Sequence, residues 1–113
     1  MTDEWVRNAR VIRLIDGDTI EIEIDLGYRV FVREKVRLYG INAPECRGKS
    51  KEAGRKATEH LKFLFNSHSR NVKVRSHKNK KGKYGRWVVE VISGDLNINQ
   101  QMVLDGHAVE YMP

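Results

Sequence analysis

Three short stretches carry side chains that can do chemistry on an anionic substrate. Asp18, in Asp16-Gly17-Asp18-Thr19, puts a carboxylate at a strand start, Arg37, Asn42 and Glu45 bracket a proline turn, and Lys83-Tyr84-Gly85-Arg86 ends a lysine-rich loop. A phosphodiester repels an attacking hydroxide, so its hydrolysis asks for a cation and for forked donors that absorb charge growing on the equatorial oxygens. Arginine supplies such a fork and stays protonated. Oxygen-bearing side chains suit a hard cation, and a carboxylate close by has a water to work on. Taken singly, each stretch also has a plainer role. Asp-Gly forms turns, an arginine at a strand end is a solvated charge, and Asn-Ala-Pro-Glu is a turn leading to a helix.

The elements needed to hold these residues are legible as changes of period. Arg10 to Asp16 is an apolar-rich strand, and Thr19 to Asp25 alternates Ile20, Ile22 and Ile24 with Glu21, Glu23 and Asp25, the two-residue period of a half-buried strand. Asp16-Gly17 between them predicts a tight hairpin whose central residues take positive φ. After a turn at Asp25-Leu26-Gly27-Tyr28, Arg29 to Leu38 alternates again through Val30, Val32, Val36 and Leu38 and completes a meander. From Ser50 to Asn66 the period lengthens. Ala53, Ala57, Leu61 and Leu64 line one face of an amphipathic helix of about four turns, with Ser50 as its N-cap. Asn71 to Ser76 reads as a fourth strand, HKNKKGK as a polar loop, Arg86 to Ile92 as a fifth strand, and Asn97 to Leu104 as a short helix ended by Gly106. Five short strands with a helix between the third and fourth predict an α+β, mainly β, five-stranded Greek-key barrel of the OB type with two helices.

Composition narrows the class of protein. At 113 residues the chain is one domain by size, enough for a single modest core, and it has no apolar run of about 18 residues of the kind that spans a membrane. Its acidic start, Met-Thr-Asp-Glu-Trp, is unlike a signal peptide, so we expect a monomer without membrane contact, cytoplasmic or phage-encoded and intracellular. The single cysteine, Cys46, cannot form an internal disulfide, and four scattered histidines lack zinc spacing. The net charge of +6 is unevenly spread. From His60 to Val89 there are nine Lys and Arg, Lys78, Lys80 and Lys81 among them, and no acid, whereas the rest of the chain holds 12 basic and 15 acidic residues. A basic sector with Tyr84 inside it suits DNA or RNA held through its backbone.

In their order and spacing, IDGDTI, RLYGINAPE and KYGR resemble the three signature segments of the staphylococcal-nuclease-like (thermonuclease) family, and NQQMVLDGHA resembles that family's short second helix. The resemblance implies a single OB-fold domain over residues 1–113 and calcium-dependent hydrolysis of phosphodiester bonds in DNA and RNA with little sequence specificity. By the same match Asp18 is the first calcium-ligating aspartate, Asn42 lies in the turn that supplies the second, and Ala43 offers its backbone carbonyl to the ion. Glu45 corresponds to the residue that orients or deprotonates the attacking water. Arg37 and Arg86 correspond to the arginines that grip the scissile phosphate, and Lys83 and Tyr84 to residues that hold its neighbour. Two departures stand out. The family usually has Asp where Asn42 stands, and it continues into a third C-terminal helix that this sequence lacks. An amide still offers calcium an oxygen but removes one negative charge, which leaves two readings. One is a nuclease that works at higher calcium. The other is a weakened or inactive OB-fold module that binds nucleic acid without cutting it.

Overall fold

In the computed structural model, backbone is described for residues 6–81 and 87–111, and side chains for all of these except 78–81. The alternating segments near the N-terminus form β1 (Val6–Asp16), β2 (Thr19–Asp25) and β3 (Phe31–Leu38), an antiparallel meander. A two-residue β4 (Ile41–Asn42) and a 3-10 turn at Gly48–Ser50 lead into α1 (Lys51–Ser67). The chain returns as β5 (Asn71–Lys81), which pairs with β1, and β6 (Trp87–Ser93), which pairs with β5. Parallel pairing of β3 with β6, from Val36↔Trp87 to Leu38↔Val89, closes these five strands into the expected barrel. Short β7 (Leu96–Asn97), α2 (Ile98–Leu104) and β8 (Val109–Glu110) follow, and β8 pairs with β4.

Inward-facing residues of the barrel strands, Ile20, Ile22, Val36, Leu38, Val74 and Val91 among them, meet Leu61 and Phe65 of α1 and Ile98 and Met102 of α2 in one core. Each such side chain contributes roughly 1.5–3 kcal/mol by leaving water. Buried Asn99 fastens α2 to the barrel. Its amide nitrogen donates to Tyr39 O (2.8 Å) and Val89 O (3.0 Å), and its oxygen accepts from the Val91 nitrogen at 3.1 Å. The Tyr39–Gly40 corner that precedes β4 is thereby held in place. Among the described residues no helix is long and apolar enough to cross a membrane.

Three expectations change. HKNKK is strand rather than loop, because β6 continues to pair with β5 after a register break between Ser76 and Lys81. His77 anchors this stretch by stacking on Tyr39 at 3.5 Å and meeting the Glu90 carboxylate at 2.8 Å, so polar side chains do not prevent pairing. The β1–β2 turn does not use positive φ at Gly17. That glycine is needed for space, since a Cβ there would come within 2.8 Å of the Ala57 Cβ and 3.0 Å of the Ala43 Cβ. Positive φ occurs instead at Gly27, Tyr28 and Arg29 (85°, 55° and 64°) in the β2–β3 turn. Ser50 precedes α1 without capping it through its side chain, and its hydroxyl donates to the carbonyls of Glu45 (3.0 Å) and Arg47 (3.2 Å).

Candidate active site

The β1–β2 turn, the end of β3 and the loop after β4 meet at one end of the barrel. They enclose a cavity of about 440 Å³ whose walls include Asp16, Asp18, Arg37, Asn42, Ala43 and Glu45. Asp18 is buried, and each of its oxygens accepts one hydrogen bond. Its Oδ1 accepts from the Thr19 hydroxyl (3.0 Å) and its Oδ2 from the Ala43 backbone nitrogen (2.9 Å), which ties the hairpin turn to the proline loop. Arg37 is one-fifth exposed, and its Nη2 donates to Asn42 Oδ1 (2.9 Å) and to the Ile41 carbonyl (3.0 Å) while lying 3.6 Å from Asp18 Oδ2. Three oxygens thus face one cationic nitrogen. Among the described residues Nε and Nη1 of Arg37 make no hydrogen bond, so most of the fork remains for a phosphate. Its guanidinium carbon also lies 5.4 Å from the centre of the Tyr111 ring, within cation–π range.

Glu45 stands at the rim, well exposed, with its carboxylate 3.1 Å from Nε of Arg47. Its backbone is fixed by the Ser50 hydroxyl and by close approach of α1 at Gly54, where a Cβ would overlap the Glu45 carbonyl. Asp16 holds the next residue, accepting from the Cys46 nitrogen at 3.1 Å. The Cys46 thiol faces the Thr58 hydroxyl at 3.2 Å on α1. The walls of the groove are therefore cross-braced before any ligand arrives.

A family model described as Staphylococcal nuclease homologue matches residues 35–112. The chain belongs to the staphylococcal nuclease family. Two relatives named uncharacterized endonuclease, one from Escherichia coli O157:H7 and one from Escherichia coli, are each 36% identical over 105 residues. The alignments cover 92% of this chain and 61% of each relative, so the chain spans about three fifths of their length.

Of the residues singled out by their likeness to the staphylococcal nuclease family, Asp18, Arg37, Asn42, Ala43 and Glu45 come together in the one groove. Lys83, Tyr84 and Arg86 lie outside the described residues, and Lys78, Lys80 and Lys81 are placed in β5 by backbone alone. Asp16, Thr19 and Arg47 were not singled out and belong to the groove as well. Asp16 stood in the quoted Asp-Gly-Asp triplet and Arg47 two residues after Glu45, the only signals available for them. Among the described residues no three His, Cys, Asp or Glu side chains gather closely enough to hold an ion by themselves. Bound cation would therefore draw on amide and backbone oxygens and water besides Asp18. The donors are all oxygen and already face a positive nitrogen, which fits a hard cation such as calcium.

Proposed function

We propose that this groove is the site of a calcium-dependent nuclease that hydrolyses phosphodiester bonds in DNA and RNA with little sequence preference. The observation that carries the reading is the convergence of Asn42 and Asp18 on one nitrogen of Arg37, at 2.9 and 3.6 Å, with Glu45 on the rim. Family membership and the names of the two endonuclease relatives support it.

Asp18, Asn42 and the Ala43 carbonyl are the residues that would hold calcium, which when bound offsets phosphate charge and makes a nearby water more acidic. The free donors of Arg37 bind the scissile phosphate and stabilise charge on its equatorial oxygens, with Arg86 as the second arginine. Glu45 takes a proton from water as the water oxygen bonds to phosphorus, and the phosphorus–ester-oxygen bond breaks with the departing oxygen taking a proton from solvent. Its exposure keeps the carboxylate in contact with solvent, the source of that water. Lys83 and Tyr84 hold the adjacent phosphate. Recognition through Lys and Arg contacts to the backbone reads no sequence.

The test is cleavage of a fluorescent single-stranded DNA across a calcium titration with an EDTA control. Wild-type protein cuts with calcium and not with EDTA, and Glu45→Ala and Arg86→Ala proteins that melt at the wild-type temperature lose about 10²-fold or more in turnover. Near-wild-type cleavage by either variant would remove it from the mechanism. The seating of Nη2 of Arg37 against Asn42 and Asp18 favours a second reading, a module that binds nucleic acid without cutting. That reading holds if binding persists in EDTA and no calcium concentration produces cleavage.

A further inference from the structure

The outer face of the meander carries a pattern that the groove does not use. Register places Arg13 and Lys35 on either side of Glu21, and Arg10 and Arg33 on either side of Glu23. Arg13 lies 3.2 Å from Glu21, and Arg10 and Arg33 lie 3.7 and 3.6 Å from Glu23. These pairs do not cancel as seen from solvent. The two carboxylates are only 23% and 26% exposed while the three guanidinium side chains are 57–59% exposed, so the surface presented is cationic.

The pattern is continuous with the groove. Arg37, Lys35, Arg33 and Phe31 alternate along one face of β3, and Arg37 pairs opposite Thr19 beside Asp18. Successive ranks are about 7 Å apart, two strand residues, and roughly twice the ~3.4 Å rise of one strand in a duplex. An extended single strand can therefore set one phosphate against each rank. Past the arginine rank the face opens into a hollow of about 470 Å³ bordered by Arg10, Lys73, Asn71 and Phe31 and also by the carboxylates of Glu23 and Asp25, so this end suits a base rather than a further phosphate. Phe31 is half exposed at its edge, an aromatic face on which a base can stack.

We infer that the outer face of β1, β2 and β3 is an extension of the nucleic-acid site. It takes the phosphates of a single strand along Lys35 and Arg13, then Arg33 and Arg10, and a base against Phe31. The inference rests on the reading of the groove as a nucleic-acid site, and the charge of the face and its continuity with Arg37 select this occupant.

The test compares a single-stranded 4-mer, which fills the groove alone, with a 16-mer that reaches the outer face. Binding is read by fluorescence anisotropy in EDTA and cleavage in calcium, for wild type, for Arg10→Gln/Arg33→Gln/Lys35→Gln and for Phe31→Ala. The triple variant should bind the 16-mer at least tenfold more weakly, with a salt slope smaller by about 2, and bind the 4-mer within twofold of wild type. Phe31→Ala, at an exposed position, should weaken the 16-mer about fivefold. Equal losses on both lengths, no loss on the 16-mer in either variant, or loss only of binding to vesicles containing anionic lipid would overturn the inference. If wild type cuts neither length and the variants still lose 16-mer affinity, the nuclease reading fails and the extended face stands. If wild type cuts both and the variants bind the 16-mer normally, the nuclease reading stands and the extended face fails.

Discussion

At position 42 an amide gives the groove an oxygen without a charge, and that oxygen is held by Arg37 at 2.9 Å. Replacing it by a carboxylate changes two things at once. Another anionic ligand strengthens calcium binding, so Asn42→Asp should lower the calcium midpoint by about tenfold, or about 1.4 kcal/mol, as measured by calorimetry on the uncomplexed protein. The bond to Arg37, already charge-assisted through its donor, also becomes an ion pair and holds the guanidinium more firmly, so single-stranded DNA should bind less tightly in EDTA. An unchanged calcium midpoint would place Asn42 outside the metal's ligands. Asp18, Arg37, Asn42 and Glu45 could be singled out in the sequence because they stand in segments whose order and spacing resemble the family's signatures, and the fold brings them to one groove. Asp16 and Arg47 could not, because one braces a backbone thirty residues away and the other pairs with a rim carboxylate, relations that exist only after folding.

The elements position that chemistry through close contacts that composition does not reveal. Gly54 sits in α1 where helix propensity favours alanine by about 1 kcal/mol, yet its Cβ would overlap the Glu45 carbonyl and come within 2.7 Å of the Cys46 nitrogen. Overpacking against backbone costs about 1–3 kcal/mol or more, so the clash wins. Gly54→Ala should melt at a lower temperature and turn over more slowly through displacement of Glu45, and a raised melting temperature would contradict this packing. The same helix is tied to α2 by His60, which meets Asp105 at 2.6 Å, while the Gln101 amide donates to the other oxygen at 2.8 Å. The His60 hydrogen bond, with help from Gln101 and the nearby His107, holds the Asp105 carboxyl below its ordinary value of 3.8, against the opposing effect of burial. The stability this pairing contributes is fully present above that ordinary value and is lost as the pH falls through the depressed one. Asp105→Asn should therefore unfold more easily in urea at pH 7, by about 1 kcal/mol, with the gap closing at strongly acid pH. A gap of the same size in strong acid would assign the effect to something other than the carboxylate's charge.

Over the whole molecule, period and charge were readable because both are properties of residue order. The barrel followed from the alternating isoleucines and valines, and its closure by β3 against β6 lay in three long-range pairs that no local pattern announces. The extension of β5 to Lys81 was hidden for the same reason, since its polar residues take their order from β6 rather than from a core. Charge order, by contrast, makes a prediction that needs no side-chain placement. Nine basic residues and no acid lie between His60 and Val89, and three of them, Lys78, Lys80 and Lys81, are remote in role from the residues assigned to bond cleavage. Changing these three to glutamine should raise the KM for single-stranded DNA more than it lowers kcat, because ground-state and transition-state binding lose the same phosphate contacts. The dependence of affinity on salt should fall by about 2 in log–log slope, while thermal stability stays within about 0.5 kcal/mol of wild type. A fall in kcat with KM unchanged would instead bring this arm of β5 and β6 into the reacting groove.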